Sequence, residues 1–171
     1  MMMRAFLILF SSLFAILACS DSKNQGGEPS IATLSEQGLA DLISNRNGQV
    51  LFLNVWATWC APCKEEFPDL VKLANHYRGR SVEIVGLSVD YPDEIESKIK
   101  PFLKEVRGNF PIYVKDMAND ENLINTLNPE WSGALPATLI YDAAGQRRHF
   151  ILGKHDFSYF KQQIDPLLKG E

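Results

Sequence analysis

The chain has 171 residues, of which 46% are hydrophobic and 22% charged, a composition typical of one soluble globular domain. Seventeen Lys and Arg against 21 Asp and Glu give a formal net charge of −4, so the basic excess of nucleic-acid binders is absent and nucleic acid is not an expected partner. A chain of this length buries enough surface to fold without disulfide staples or metal ions. Its three cysteines are therefore available for chemistry.

An apolar run at the N-terminus precedes the predicted domain. Residues 5–18 read AFLILFSSLFAILA, follow the cation Arg4 and precede a polar stretch over residues 20–30. A transmembrane helix needs about 20 apolar residues, so this shorter run predicts a cleaved export signal over residues 1–18, with an uncleaved short anchor as the alternative. Residues 19–30 are predicted to be a flexible linker and residues 31–171 the folded domain.

The end of the apolar run, Ile16-Leu17-Ala18-Cys19, resembles the bacterial lipobox. The resemblance implies cleavage before Cys19 and acylation of its sulfur, which would anchor the protein to a membrane on the periplasmic side through several acyl chains. Ser20 rather than Asp follows Cys19, which by the same resemblance favours the outer membrane over the inner. The alternative is an ordinary signal cleaved nearby, which leaves Cys19 as an unpaired thiol.

Strands and helices alternate after the linker, which predicts an α/β domain. A helix is expected to start at the capping-box pattern Thr33-Leu34-Ser35-Glu36 and to end at Asn47-Gly48. Two apolar strands joined by a helix favour a parallel β-α-β crossover, and the last two strands favour an antiparallel hairpin. The predicted strands cover residues 50–56, 82–89, 111–114, 137–142 and 147–152, and the further helices cover residues 61–78, 93–108 with a bend at Pro101, 121–127 and 156–168.

Two cysteines, Cys60 and Cys63, lie where the buried strand gives way to a helix. The free N–H groups and partial positive charge of a helix N-terminus favour thiolate over thiol. Cys60 is therefore predicted to be the reactive thiol, with its pKa below the free value of about 8.5. Cys63, one turn further along, is more shielded and can resolve a mixed disulfide. Pro62 suits the first turn of a helix.

The sequence around the two cysteines also resembles a known family. Residues 56–63 (WATWCAPC), the following KEEFP and the later GALPAT before a strand are similar to the thioredoxin superfamily, in particular its membrane-tethered TlpA/ResA branch. The resemblance implies a thioredoxin fold, a central mixed β-sheet flanked by helices, with an inserted helix and strand at about residues 91–116. It also implies a thiol-disulfide oxidoreductase that needs no cofactor and acts on disulfide-containing protein substrates. An exported protein would take its electrons from a membrane electron donor.

The resemblance extends to a substrate-binding region. Pro136 is expected to be cis and to face the dithiol, which would leave the backbone of Leu135 free to pair with an extended substrate. Trp59 and Pro62 are expected to contact the substrate as well. Trp56 and Trp59 resemble the apolar platform around family dithiols, with Trp56 equally placed for the core. Trp131 either lines a substrate groove or covers the core.

The proton-transfer residue departs from the thioredoxin pattern. Thioredoxin has a buried Asp six residues before the first cysteine, where this chain has Asn54, and an amide cannot accept a proton. Glu66 is the candidate replacement, because it lies three residues after Cys63 on the same helix and the TlpA/ResA branch has Glu there. The alternative for Glu66 is a solvated surface charge. Glu65 is expected at the surface.

The alternatives for the two cysteines are a structural disulfide and three other functions that use the same side chains. A zinc site needs about four ligands, and His76, His149 and His155 show no ligand spacing, so no metal site is predicted. A copper carrier could hold Cu(I) on two thiolates, but such carriers usually add a distal His and wider Cys spacing. A thiol peroxidase would need a lone reactive cysteine with a nearby Arg, which a CxxC pair fits less well.

Overall fold

The structure is a computed structural model that describes residues 29–168, so Cys19 and the predicted signal and most of the linker lie outside the described residues. All seven residues of the predicted central strand are buried, and this strand lies in the middle of a six-stranded sheet. The strands are β1 (Ile31–Leu34), β2 (Val50–Trp56), β3 (Val82–Ser88), β4 (Ile112–Lys115), β5 (Ala137–Tyr141) and β6 (Arg147–Leu152). The α-helices are α1 (Glu36–Ser44), α2 (Ala61–His76), α3 (Lys100–Val106), α4 (Asp120–Leu127) and α5 (Phe157–Ile164).

The sheet is mixed, and its order is β1-β4-β3-β2-β5-β6. The first four of these strands run parallel, whereas β5 is antiparallel to β2 and β6 is antiparallel to β5. In this register Trp56 pairs with Ser88, and Val55 pairs with Ala137. The carboxyl ends of β2 and β3 and the start of β5 therefore meet at one edge of the sheet. The α/β class, the parallel crossover and the hairpin are confirmed.

The two faces of the sheet carry separate apolar cores, which explains why β2 is apolar at nearly every position. One core packs the sheet against α2, α3 and α5, and the other packs it against α1 and α4. In the first core Trp56 is fully buried, with its ring 4.8 Å from Phe67 and 5.2 Å from Phe102 between centroids. Trp56 is thus a core residue and not part of an exposed platform.

The start of the domain differs from the prediction. Residues 31–34 form the edge strand β1, which pairs in parallel with β4, and the sequence analysis missed this strand. The capping box was wrong because Thr33 and Leu34 belong to the strand. The N-cap of α1 is Ser35, whose Oγ accepts a hydrogen bond from the N–H of Gly38 at 3.1 Å. Gly38 has no side chain that could return the bond.

The helical segment predicted over residues 93–108 is irregular. It consists of a 3-10 turn at Pro92–Glu94, a π-helical turn at Ile95–Ile99 and the regular helix α3. Pro101 is the second residue of α3, a first-turn position that tolerates proline. The remaining elements match the prediction within one or two residues, except that the last helix ends at Ile164 and continues as a 3-10 turn. No helix within residues 29–168 is long and apolar enough to cross a membrane.

Candidate active site

The two cysteines of the CxxC motif meet at the N-terminus of α2 and form a disulfide. Cys60 is the N-cap residue, and its Sγ accepts a hydrogen bond from the N–H of Cys63 at 3.3 Å. Cys60 is 6% exposed and Cys63 is 1% exposed, so Cys60 is the more accessible sulfur. Pro62 is exposed at the second position of the helix. This arrangement places a helix N–H and the helix dipole at the sulfur that was predicted to react.

Glu66 is buried beneath the dithiol end of α2, with 1% of its surface exposed. Its Oε1 accepts a hydrogen bond from Asn54 Nδ2 at 2.7 Å, and its Oε2 accepts one from the backbone N–H of His155 at 2.8 Å. Asn54 also donates to the hydroxyl of Thr138 at 3.0 Å. The alternative of a solvated surface charge is therefore wrong for Glu66.

Burial raises the pKa of Glu66 to about 7. The hydrogen bonds from the His155 N–H and from Asn54 act in the opposite direction, because they stabilise the carboxylate, but they do not offset the loss of water. A carboxyl group with a pKa near neutrality can both accept and release a proton under physiological conditions. The structure thus places Glu66 in the interior, three residues after Cys63 on α2, and its role in proton transfer stays a prediction.

The neighbouring acid, Glu65, behaves differently. It is exposed, as expected, and forms an ion pair with Lys154 at 2.6 Å. Lys154 directly precedes His155, whose backbone binds Glu66. The two adjacent glutamates thus make separate contacts with the same segment after β6, one at the surface and one in the interior. Glu65 is therefore a matched control for substitutions of Glu66.

The loop before β5 presents free backbone beside the dithiol edge. The peptide bond between Leu135 and Pro136 is cis, as the resemblance implied, and the carbonyl of Pro136 accepts a hydrogen bond from the N–H of Gly153 at 2.9 Å. Within residues 29–168 the backbone of Leu135 makes no hydrogen bond. Trp131 is buried in the core and its Nε1 donates to the carbonyl of Ala134 at 2.9 Å. Trp131 therefore packs in the core and also holds this loop.

Asp90 is a site residue that the sequence analysis missed. It is buried, and its Oδ2 accepts hydrogen bonds from the backbone N–H of Thr58 at 2.9 Å and from the hydroxyl of Ser88 at 2.6 Å. Its Oδ1 accepts a third bond from the Thr58 hydroxyl at 2.6 Å. Asp90 thus fixes the segment that leads into Cys60. The available signal was an aspartate directly after a buried strand, next to the strand that carries the cysteines.

Metal ligands are not clustered in the described part of the chain, where no group of three or more His, Cys, Asp or Glu side chains could hold an ion. His76 packs against Tyr77 and Phe157, and His155 stacks on Tyr159. Two of the three histidines that were considered as zinc ligands thus pack against aromatic rings.

A family profile described as AhpC/TSA matches residues 31–150, which include both cysteines, Glu66 and Pro136. The chain belongs to the AhpC/TSA family. The thiol peroxidase alternative required a lone reactive cysteine, whereas Cys60 in this family member is paired with Cys63.

Known relatives agree with the site. The thiol-disulfide oxidoreductase ResA of Bacillus subtilis is 27% identical over 158 residues, which cover 92% of this chain and 83% of the relative. The crystal structure of a thioredoxin-related protein from Neisseria meningitidis serogroup B is 30% identical, with a TM-score of 0.60 over 70% of this chain and 85% of that one. A thiol:disulfide interchange protein of the thioredoxin family from Chlorobium tepidum is 26% identical, with a TM-score of 0.60 over 72% and 82%. The chain is accordingly a thioredoxin-like thiol-disulfide oxidoreductase with a redox-active CxxC pair.

Proposed function

We propose that the protein is an exported, lipid-anchored catalyst that reduces or exchanges disulfides of extracytoplasmic proteins. The observation that carries the redox part of this proposal is the buried Glu66, which has a pKa near 7 and lies three residues after Cys63 on the same helix. The export and the lipid anchor are proposed from the apolar run and from the resemblance of residues 16–19 to a lipobox. A structural disulfide needs no proton acceptor of this kind. A dithiol that must lose a proton in every turnover does.

The reaction runs in two exchange steps. The Cys60 thiolate attacks one sulfur of the substrate disulfide, which forms a mixed disulfide and releases the first substrate thiolate. Cys63 then gives its proton to Glu66 and attacks the Cys60 sulfur, which releases the second substrate thiolate. Two electrons pass to the substrate, and the enzyme ends with the Cys60–Cys63 disulfide that the structure contains. A donor of two electrons must reduce this disulfide again.

The proposed substrate contacts surround Cys60. Trp59 and Pro62 are exposed beside it, and the unbonded backbone of Leu135 is available to pair with an extended polypeptide next to Pro136. The Ala-Pro pair between the cysteines and the nearby acid favour a reducing direction. A membrane electron donor is proposed because an exported protein has no access to the cytosolic reductant.

Insulin reduction tests the function. The reduced protein is expected to accelerate the precipitation of insulin by dithiothreitol, and the Cys60→Ser variant is expected to lose this effect. A parallel Cu(I) titration tests the copper-carrier alternative. Stoichiometric Cu(I) binding at low concentration together with no effect on insulin would contradict the proposed function.

The lipid anchor is tested at Cys19. The Cys19→Ala variant is expected to lose labelling by a fatty-acid analogue and to leave the membrane fraction, with insulin reduction unchanged, because the redox site lies entirely within residues 56–155. Labelling and fractionation of cells that express each protein provide the measurement. A wild-type protein that takes up no label removes the lipoprotein assignment, and with it the preference for the outer membrane that Ser20 suggests.

The loop that presents Leu135 is tested at Trp131. Trp131→Phe keeps a six-membered aromatic ring and removes the pyrrole ring with the N–H that binds the Ala134 carbonyl. A hydrogen bond of this kind contributes about 1 kcal/mol. We expect KM for insulin to rise about fivefold, with turnover of a small disulfide such as hydroxyethyl disulfide unchanged.

The control for this variant is Tyr113→Phe on β4, which removes a hydroxyl that makes no hydrogen bond within the described residues. Equal effects of the two substitutions on KM for insulin would show that Trp131 does not position the loop.

A further inference from the structure

Two aromatic side chains stand exposed at the edge of the sheet that carries the dithiol. Trp59 and Tyr91 are each 67% exposed, more than any other large hydrophobic side chain in residues 29–168. Neither ring contacts another aromatic ring in this part of the chain. Exposed apolar surface of this kind commonly marks an interaction site. Trp59 was expected to contact substrate, whereas nothing so far accounts for Tyr91.

The hydrogen bonds of Asp90 place Tyr91 beside the active-site segment. Thr58 donates two bonds to the Asp90 carboxylate, at 2.9 Å from its N–H and 2.6 Å from its hydroxyl. Thr58 directly precedes Trp59, and Asp90 directly precedes Tyr91. Trp59 and Tyr91 therefore lie on two chain segments that are joined by the buried hydrogen bonds between Thr58 and Asp90. A further bond from the N–H of Val89 to the carbonyl of Trp56, at 2.9 Å, continues the pairing beyond the ends of β2 and β3.

Tyr91 is also held in place on its other side. Its N–H donates to Glu94 Oε2 at 3.1 Å, and its carbonyl accepts a bond from the N–H of Glu94 at 2.9 Å. Pro92 follows and limits the backbone further. An exposed aromatic residue on a fixed backbone is suited to binding, because little conformational entropy is lost when a partner covers it.

Two of the three carboxylates next to Tyr91 in the chain, those of Asp90 and Glu94, already have partners. Asp90 is buried and accepts three hydrogen bonds. Glu94 forms an ion pair with Lys98, and Asp93 also lies in the field of that lysine. Asp93 is exposed, and its carboxylate makes no ion pair or hydrogen bond within residues 29–168. The apolar assignment therefore comes from the two exposed rings, and binding of a cationic side chain at Asp93 is the competing outcome of the test.

We propose that Tyr91, together with Trp59, binds a large apolar side chain of the substrate polypeptide next to its disulfide. Tyr91 is then a specificity-determining residue that selects among protein disulfides according to the residues that flank them. This inference rests on the proposed function, since it assigns a substrate class to the same site. Attack by Cys60 on a small disulfide needs no such contact.

The test uses peptides whose single cysteine is joined to glutathione as a mixed disulfide. Three peptides differ only at the two positions that flank the cysteine, which are Phe, Ser or Lys. The wild-type protein is expected to show a KM for the Phe peptide about fivefold below that for the Ser peptide, with similar kcat. Tyr91→Ala should remove this difference and leave the Ser peptide unchanged, whereas Tyr91→Phe should retain it because the ring remains.

Matched controls separate this inference from the proposed function. Lys104→Ala, an exposed change on α3, should behave as wild type with all three peptides. Hydroxyethyl disulfide should be reduced at the same rate by the wild type, Tyr91→Ala, Tyr91→Phe and Lys104→Ala, which also shows that Tyr91→Ala is folded. Equal KM values of the wild type for the Phe and Ser peptides overturn the apolar contact, and a Tyr91-dependent preference for Lys overturns it in favour of a cationic one. A wild-type protein that reduces neither the peptides nor hydroxyethyl disulfide overturns the proposed function as well.

Discussion

Cys63→Ser is expected to accumulate mixed disulfides between Cys60 and protein substrates, about tenfold above the wild type or more. Cys60 can still attack because it is the more exposed sulfur at the helix N-terminus, but no thiol remains to release the product. Cys60→Ser should trap little. It should also fold normally, since Ser is a favoured N-cap residue and can accept the bond that Cys60 Sγ accepts from the N–H of Cys63.

Non-reducing gels of cells that express each variant provide this measurement, with the double variant as the background. Equal amounts of adduct for the two single variants would show that the roles of attacking and resolving cysteine are wrongly assigned. Adducts that persist after treatment with reductant would show that they are not disulfides.

Glu66→Gln is expected to change how the stability of the oxidised protein depends on pH. The pKa of Glu66 is about 7 in the folded protein, against 4.5 for an exposed carboxyl, so between these values the folded state holds a proton that the unfolded state releases. The wild type should therefore lose stability as pH rises from about 4.5 to about 7. The loss is on the order of 3 kcal/mol, and Glu66→Gln should lack it.

Denaturant unfolding of the oxidised proteins between pH 4.5 and 8 measures this difference as a slope. Both oxygens of Glu66 accept bonds from N–H donors, so the amide nitrogen of Gln must face one of these donors and lowers stability at every pH. The change of stability with pH is therefore compared between the proteins, and not the stability at one pH. Glu65→Gln is the matched control, because it removes an exposed carboxylate from the same helix. Identical slopes for the wild type and Glu66→Gln would contradict the buried, proton-exchanging carboxyl.

The same variant should alter the redox couple. A Glu66 carboxylate near the dithiol disfavours a second negative charge there, so its removal should lower the pKa of the Cys60 thiol and shift the couple to a more oxidising potential. Resolution of the mixed disulfide should slow at neutral pH, since Cys63 loses its proton acceptor. Alkylation rate against pH and a glutathione redox titration test both effects. Curves that overlay those of the wild type would exclude Glu66 from the proton route.

The parts of the site that depend on local sequence were predicted, and the parts that depend on long-range contacts were not. The strand β2 is a continuous apolar run, and the CxxC motif follows it directly, so their positions could be inferred from neighbours in the chain. The buried carboxylate of Glu66 accepts a hydrogen bond from the backbone N–H of His155, which lies 89 residues away. Nearly every residue type has a backbone N–H, so the sequence does not indicate which residue donates this hydrogen bond.

Two errors have the same physical origin. The strand β1 has only four residues and lies at the edge of the sheet, where its pairing with β4 is set by the fold and not by a long apolar run. The contact of Thr58 with Asp90 joins residues 32 positions apart, and it exists only because β2 and β3 pair in parallel. Once the resemblance supplies that pairing, an aspartate two residues after the end of β3 can be recognised as a candidate.

A single-turnover transfer experiment tests the central claim, that Cys60 and Cys63 exchange their electrons with a protein disulfide. Fully reduced protein is mixed with excess oxidised insulin, quenched with acid at intervals, alkylated and analysed by mass spectrometry. The account predicts that two insulin thiols become alkylated for every protein molecule whose Cys60 and Cys63 have become unreactive. Insulin disulfides that remain intact while both cysteines still react with the alkylating reagent would contradict it.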